Sequence, residues 1–238
     1  MYKRVLLKLS GEALKGESNS ILEVNHLNGL TDVIKELHDN GVEVAIVIGA
    51  GNIWRGKLAN QIGIEPVPAD FMGMLGTVIN AVAMASNLEK KGIPAIVYSA
   101  VPHIENVTYE YNKDKANKSL AEGKVVFLAG GTGKPFFTTD TAAALRAVEL
   151  DCQAIFMGKN GVDGIYTADP TIDKKAEFIK TITFKEIIER KLQVMDISAV
   201  ELIKNTNIDV RVFSMAEPKN FLKVASGEDI GTTVKKGE

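Results

Sequence analysis

Apolar residues follow two different periodicities along this chain, and the periodicities alternate. Short, nearly continuous apolar runs are typical of buried strands, whereas apolar positions three or four residues apart are typical of helices packed on one side. The first pattern predicts strands over residues 3–9, 42–48, 93–99, 124–129, 154–157, 210–213 and 232–234. The second predicts helices over residues 25–40, 70–91, 139–150, 183–191, 197–205 and 218–225, with a more polar helix over 113–122.

Alternating strands and helices of this kind predict an α/β fold in which a mostly parallel sheet is covered by helices on both faces. Residues 163–170 are dense in turn-forming residues and predict a hairpin or a long loop. Neither a Pro-rich or Ser-rich linker nor a repeat divides the sequence. We therefore expect residues 1–238 to form one domain.

Composition and charge indicate the kind of core and limit the classes of ligand. The 238 residues are 45% hydrophobic but only 6% aromatic, which suits an aliphatic core between a parallel sheet and helices. A net charge of −2 indicates neither nucleic acid nor an anionic membrane surface as the main ligand. The lone Cys152 lies in an apolar setting and fits a core residue in a reducing cytoplasm. No apolar run suggests a membrane span by its length.

Glycine and polar residues follow four of the predicted strands directly. They stand at residues 10–11, 49–52, 130–133 and 158–161. In open parallel sheets, ligands bind beyond the carboxyl ends of the strands. Several glycine turns at one edge therefore predict a wide ligand, or two ligands side by side.

The longest of these turns is the segment 129–140, with the sequence Ala-Gly-Gly-Thr-Gly-Lys-Pro-Phe-Phe-Thr-Thr-Asp. Its glycines allow a ligand to approach the backbone, and its hydroxyls and free amides at a helix start suit a phosphate. It is not a P-loop, because no Gly-Lys-Ser/Thr follows at the required spacing. An ordinary strand-to-helix turn capped by Thr139 or Asp140 explains the same residues, and the segment alone leaves both interpretations open.

Three cations near strand ends are candidates for binding phosphates. Lys8 interrupts an apolar strand one residue before its end, so it either reaches the rim of the sheet or faces the ligand. Arg55 follows the second glycine turn, where a planar guanidinium suits two phosphates. For Lys159 we expect an ordinary loop position. Such cations fit phosphoryl transfer, which depends mainly on alignment and charge neutralisation.

Three acids have two interpretations each. Asp70 and Asp140 stand at predicted helix starts, where an N-cap is the default role. Asp70 could instead accept hydrogen bonds from sugar hydroxyls. Asp196 could cap a helix or orient Lys8 and a metal, and spacing does not decide between the two. The sequence contains no nucleophile elbow and no zinc-protease motif, so triad or zinc hydrolysis is not expected.

Taken together, these segments resemble the amino acid kinase superfamily and, within it, the bacterial uridylate kinases. The matching segments are residues 2–14, 47–56, 69–80, 129–140, 162–170 and 194–196. The first and fifth are typical of the whole superfamily. The Asp-x-Met-Gly-Met-Leu pattern at 70–75 and the Gly-x-Pro-Phe-Phe-Thr-Thr-Asp pattern at 133–140 are specific to uridylate kinases.

The resemblance implies a three-layer αβα sandwich in a cytoplasmic homohexamer that transfers the γ-phosphoryl group of ATP to UMP with Mg²⁺, in pyrimidine nucleotide biosynthesis. It implies ATP binding by Lys8, Leu9, Ser10, Gly11, Gly51, Arg55, Asn160, Tyr166 and Asp169. It implies UMP binding by Ala50, Asp70, Thr132, Gly133, Lys134, Pro135, Phe136, Phe137, Thr138 and Thr139.

The implied catalytic residues are Lys8, Arg55 and Asp196. Lys8 would neutralise the transferring phosphoryl group, and Asp196 would hold that lysine and the metal. No metal-ligand set is assigned. The attacking phosphate of UMP is already ionised at pH 7, so no general base is expected.

The sequence departs from the uridylate kinase pattern in two places. Ala50 replaces the middle glycine of the second turn, which the turn can absorb if φ there is negative. Residues 15–21 lack the second glycine pair that accompanies activation by GTP in many relatives. The alternatives are another superfamily kinase acting on a carboxylate or small phosphate, and a nucleotide-sensing protein without turnover. Segments 70–75 and 136–139 argue against the first, and the three catalytic residues argue against the second.

Overall fold

A nine-stranded sheet forms the centre of the computed structural model, which describes residues 1–16, 20–159 and 161–237. Its strands are β1 (Arg4–Leu9), β2 (Glu43–Ile48), β3 (Ala95–Ser99), β4 (Tyr109–Glu110), β5 (Val125–Ala129), β6 (Ala154–Lys159), β9 (Thr181–Thr183), β10 (Asp209–Ser214) and β11 (Thr232–Lys235). Between β6 and β9, a separate antiparallel pair is formed by β7 (Ile165–Tyr166) and β8 (Phe178–Ile179).

The strand order across the sheet is β4-β3-β5-β2-β1-β6-β10-β11-β9. All neighbours from β4 to β10 pair in parallel, and β11 then runs antiparallel to β10. Strands that are distant in sequence thus lie side by side, which places the ends of β5, β2, β1 and β6 next to one another.

Helices cover both faces of the sheet. They are α1 (Glu12–Lys15), α2 (Val24–Asp39), α3 (Gly56–Ile62), α4 (Pro66–Lys90), α5 (Lys113–Ala121), α6 (Thr139–Glu149), α7 (Phe184–Glu189), α8 (Ile197–Ile203) and α9 (Asn220–Ser226). Alternate residues of each central strand point to opposite faces. In β1, Leu7 packs into the core shared with α2, α4 and α9, whereas Leu6 packs into the core shared with α5, α6, α7 and α8. The predicted three-layer sandwich is confirmed.

Most predicted elements are present with ends shifted by one or two residues. The exception is α4, which begins at Pro66, four residues before the predicted start. Proline at the first turn of a helix is a start signal, because its missing N–H has no intrahelical partner there anyway. The elements that the pattern did not predict are α1, α3, β4, β8 and β9, and all five are short. The hairpin expected over residues 163–170 is longer than predicted, because β7 pairs with β8 at Phe178–Ile179.

Helix α4 is also long and apolar enough, by length and composition alone, to cross a membrane, which the sequence analysis did not anticipate. Half of its most apolar window is buried inside the fold. Its buried residues include Met74, Val78 and Met84, which lie in the same core as α2. One side of α4 therefore packs in the core, and core helices pass the same composition test.

Candidate active site

An open cleft of about 290 Å³ lies where the carboxyl ends of β2 and β5 meet helix α4. Its lining includes predicted site residues from three separate segments: Ala50, Gly51, Asp70, Thr132, Phe137, Thr138 and Thr139. The strand order explains this convergence, because β2 lies between β5 and β1. The glycine turns that follow the central strands therefore share one edge of the sheet, as the sequence predicts.

The turns after β1 and β2 are locked together by a close approach at Gly11. A Cβ atom at Gly11 would lie 2.4 Å from both the Asn52 Oδ1 atom and the Gly49 carbonyl oxygen, so only glycine fits. Asn52 and the fully buried Asn80 of α4 exchange side-chain hydrogen bonds of 3.0 and 2.8 Å. Asn80 also donates to the Gly49 carbonyl at 2.8 Å. This network keeps both turns at a fixed position beside the cleft.

Lys8 projects from β1 toward helix α6, where its Nζ atom lies 2.7 Å from Oδ1 of Asp140. The side chains of both residues are 20% exposed, so the pair is accessible to a ligand. Among the described residues, Asp140 is the carboxylate in ion-pair contact with Lys8. The implied contact between Lys8 and Asp196 is not present in this structure.

Lys159 is the last residue of strand β6, and not the ordinary loop lysine that the sequence analysis expected. Burial is the main cause that lowers the pKa of its ammonium group, the neighbouring Lys8 lowers it further, and Asp140 opposes both. Its Nζ atom lies 3.4 Å from the Val194 carbonyl oxygen. A signal was available, because Lys159, like Lys8, stands near the end of a buried strand that leads into a glycine turn. Two cations at the ends of adjacent strands suit an anionic ligand at this corner.

Asp196 lies between the N-termini of α6 and α8. It caps α8 by accepting the Ala199 amide at 2.7 Å, which confirms the helix-cap interpretation. It also accepts hydrogen bonds from the hydroxyls of Thr138 and Thr141, the latter at 3.0 and 3.1 Å. The cap of α6 is Thr138, so the expected caps Thr139 and Asp140 were wrong. With Thr138 as the cap, Asp140 remains available for Lys8.

Arg55 extends from the turn after β2 and is 64% exposed. Its Nη2 atom lies 2.6 Å from Oε1 of Glu12, and its Nε atom donates to the Gly51 carbonyl at 3.2 Å. Glu12 is a residue that the sequence analysis did not single out. It stands at the start of α1, directly after Gly11, and it directs the guanidinium toward the shared edge of the sheet.

The segment 130–139 closes one side of the cleft. Asp70 accepts the Phe136 amide at 2.6 Å and lies within the first turns of α4, so its expected N-cap role was wrong. Phe136 is 72% exposed and has a φ of 69°, which is uncommon for a residue other than glycine. Gly133 has a φ of 75°, and a Cβ atom there would lie 2.6 Å from the Ala100 carbonyl oxygen.

The remaining predicted residues have simple placements. Ala50 is buried and is not among the residues with positive φ, which meets the condition for replacing glycine there. Leu9 is buried in the core, so only its backbone can reach a ligand, whereas Ser10 is exposed. Lys134 is exposed and Pro135 is half-buried.

Tyr166 and Asp169 lie on and just after β7. Tyr166 donates its hydroxyl to Asp163 at 2.7 Å, and Asp169 accepts the amide and hydroxyl of Thr171 at 2.8 and 2.6 Å. These contacts are local and do not join the two residues to Lys8. Asn160 and residues 17–19 of the glycine-poor segment lie outside the described residues. Within the described ranges, no three His, Cys, Asp or Glu side chains gather as a metal site.

Comparisons with known proteins identify the family of this chain. Residues 3–214 match the sequence profile of the amino acid kinase family. A uridylate kinase of Pediococcus pentosaceus is 44% identical over 234 residues, which cover 98% of this chain and 97% of that protein. The crystal structure of a UMP kinase from Bacillus anthracis has a TM-score of 0.96 at 36% identity, over 100% of this chain and 97% of that one.

Two further structures differ in their distance from this chain. A UMP kinase from Ureaplasma parvum gives a TM-score of 0.93 at 35% identity, over 99% of this chain and 100% of that one. A uridylate kinase from Archaeoglobus fulgidus gives 0.75 at 26% identity, over 98% and 100%. The chain belongs to the amino acid kinase family and, within it, to the uridylate kinases.

Proposed function

We propose that this protein transfers the γ-phosphoryl group of ATP to the phosphate of UMP, which yields ADP and UDP. The observation that carries the proposal is the position of the Lys8–Asp140 pair beside the cleft formed by Ala50, Asp70 and the segment 130–139. A donor phosphate at Lys8 and an acceptor in the cleft would lie at the same edge of the sheet. The family membership supports UMP as the acceptor.

Charge neutralisation is the main task of this site, because donor and acceptor are both polyanions. Lys8 and Lys159 stand at the ends of adjacent strands, and Arg55 reaches over the turn after β2. In our proposal, Lys8 and Arg55 hold the transferring and neighbouring phosphates, and the half-buried Lys159 adds a further cation. Fixed cations in a partly desolvated site cost no reorganisation during the reaction. UMP attacks through an oxygen that is already ionised, so no side chain has to accept a proton.

The binding residues divide into two groups. We assign the donor to Lys8, Leu9, Ser10, Gly11, Gly51, Arg55, Tyr166 and Asp169, and by resemblance to Asn160. We assign the acceptor to Ala50, Asp70, Thr132, Gly133, Lys134, Pro135, Phe136, Phe137, Thr138 and Thr139. Asp70 now accepts the Phe136 amide, so a sugar hydroxyl would share or replace that hydrogen bond.

The carboxylates beside Lys8 also fit the binding of Mg²⁺ together with ATP. Mg²⁺ is usually held by one or two carboxylates together with substrate phosphates, and needs no all-protein cage. Asp140 and Asp196, which share contacts with the N-terminus of α6, are the carboxylates that would hold it. When bound, Mg²⁺ supplies charge neutralisation to the phosphates. Asp196 keeps a further task in our proposal, since it orders Thr138 and Thr141 at the start of α6.

We further propose that residues 1–238 form one domain of a cytoplasmic homohexamer acting in pyrimidine nucleotide synthesis. One sheet contains strands from both ends of the chain, β1 and β11. Helix α4 exposes the apolar side chains of Phe71, Met72, Leu75 and Ile79 along one side, and a second copy of the chain could cover them. Sedimentation analysis tests this assembly. A particle of six times the chain mass supports it, and a fully active monomer contradicts it.

An acceptor panel tests the proposed reaction. Release of ADP from ATP and Mg²⁺ is measured with UMP, CMP, dTMP and N-acetylglutamate, each with and without GTP. We expect turnover with UMP and with none of the other three acceptors. Turnover with another acceptor would keep the family assignment but replace the substrate. Thermal stabilisation by UMP without turnover would instead support a nucleotide-sensing protein.

A further inference from the structure

Arg146 of helix α6 is almost fully buried, with 6% of its side chain exposed, and it does not line the cleft. Its guanidinium makes three contacts. The Nη1 atom donates to Oε2 of Glu149 at 2.6 Å, the Nη2 atom donates to the Gly131 carbonyl at 3.3 Å, and the Cζ atom lies 3.7 Å from the centroid of the Tyr111 ring. Only the second contact reaches a residue of the cleft, because Gly131 is one of its lining residues.

Tyr111 completes the cluster from the other side. Its hydroxyl donates to the same Oε2 atom of Glu149 at 2.6 Å, and its backbone amide donates to the Ser99 carbonyl at 2.9 Å. Burial is the main cause that raises the pKa of Tyr111, and the hydrogen bond to Glu149 adds to it, so the hydroxyl remains a donor at neutral pH. Glu149 and Tyr111 thus fix the guanidinium on two sides.

An ion pair between a buried Arg146 and a half-buried Glu149 is a poor source of stability, since removing the guanidinium from water offsets much of the attraction. Replacing such a pair by apolar side chains of similar volume is often neutral for stability. What the apolar pair could not do is donate a hydrogen bond to the Gly131 carbonyl. The planar fork of arginine does so while it remains bound to Glu149, a geometry that lysine cannot copy.

We propose that Arg146 is a positioning residue for the acceptor nucleotide. By holding the Gly131 carbonyl, it sets the direction of the peptide that leads into Thr132 and the rest of the acceptor segment. Gly131 has a φ of 59°, a region that glycine enters and leaves easily, so this peptide has little conformational restraint of its own. Arg146 supplies that restraint from behind the cleft. The proposal rests on the proposed function, because the acceptor segment is assigned to UMP there.

The test compares three variants with the parent enzyme. Arg146→Lys keeps the charge but not the fork, and we expect the KM for UMP to rise about tenfold. The KM for ATP should stay within about twofold of the parent value, because the donor side is not touched. Tyr111→Phe removes only the hydroxyl bond to Glu149 and keeps all three Arg146 contacts, so it serves as the matched control, with an unchanged KM for UMP. The double variant Arg146→Met, Glu149→Met replaces the ion pair by apolar side chains.

The double variant separates positioning from stability. We expect a melting temperature near the parent value together with a raised KM for UMP. If Arg146→Lys and the double variant both keep the parental KM for UMP, the positioning role is overturned, while the proposed function remains intact. Equal rises in the KM for UMP and the KM for ATP, in proportion to the fall in melting temperature, would also overturn it. A parent enzyme without UMP turnover would overturn the proposed function and this proposal together.

Discussion

Ala50 and Gly76 face each other where the second glycine turn meets helix α4, and a methyl group fits on only one of them. A Cβ atom at Gly76 would lie 2.8 Å from the Cβ atom of Ala50. Its next neighbours, the Cβ and Cγ2 atoms of Ile53 at 3.6 and 3.7 Å, are at ordinary contact distances. The conflict at Gly76 therefore comes from one atom, and that atom can be removed by mutation.

The magnitudes follow from two opposing effects. Replacing glycine by alanine inside a helix stabilises by about 1 kcal/mol, while overpacking a buried site costs about 1–3 kcal/mol. Gly76→Ala should therefore leave the free energy of unfolding unchanged or lower it by up to about 2 kcal/mol. In an Ala50→Gly background the overpacking disappears, and the same substitution should stabilise by about 1 kcal/mol. The two sites should couple by about 1–3 kcal/mol.

Equilibrium urea unfolding of the parent, both single variants and the double variant measures this coupling. Gly73→Ala is the matched control on the same helix, because a Cβ atom there would lie 3.6 Å from Cδ1 of Trp54, an ordinary contact. It should stabilise equally in both backgrounds. A coupling between Ala50 and Gly76 below about 0.5 kcal/mol would refute the reasoning, because values of that size occur between independent sites.

Three further predictions concern single side chains. Lys8→Ala should lower the rate of phosphoryl transfer by at least about 100-fold, because it removes a fixed cation, while thermal shift measurements should still detect UMP binding. Burial holds the pKa of Lys159 in the folded chain below its ordinary value of 10.5. Between the lowered pKa and 10.5, the unfolded chain binds more protons than the folded chain, so the free energy of unfolding of the parent rises with pH in this window. Lys159→Met should remove this gain, so the stability of the variant relative to the parent should be highest below the window and fall as pH approaches 10.5. Urea unfolding at several pH values measures this trend. Parallel plots of unfolding free energy against pH for parent and variant would contradict it. Burial raises the pKa of the Cys152 thiol to about 12, so a thiol reagent at pH 8 should label it only after denaturation, and rapid labelling of the folded chain would be inconsistent with the structure.

The sequence predicts the layers of this fold well, because each central strand is buried on both faces and its residues form a nearly continuous apolar run. The missed elements lack that signal. Helix α3 buries only Ala59, and strand β4 has both residues exposed, so neither leaves a hydrophobic period to detect. Tertiary packing, and not local preference, forms such short elements.

Local preference also failed to select the cap of α6. Thr138, Thr139 and Asp140 are consecutive, and all three are residues that cap helices well. The structure selects Thr138, whose hydroxyl also contacts Asp196 of α8. That contact joins segments far apart in sequence, so no local rule could identify it.

Glycine at strand ends indicated the candidate site in the sequence, but the sequence did not indicate which of its side chains contact one another. The Lys8–Asp140 contact depends on packing of α6 over the strand that carries Lys8. Lys159 joins them because β6 lies next to β1, an adjacency that the strand order alone determines. Sequence patterns indicated which residues reach the edge of the sheet, whereas the topology decided which of them meet.

Direct transfer of a phosphoryl group from ATP to UMP is the central claim, and ³¹P NMR of the reaction tests it most directly. With ATP, Mg²⁺ and UMP, we predict that the phosphate resonances of UDP and ADP grow in equal amounts as those of ATP and UMP decline. The Lys8→Ala variant should show neither growth under the same conditions. Formation of ADP with inorganic phosphate and no UDP, or UDP formation at the parental rate by the variant, would contradict the account.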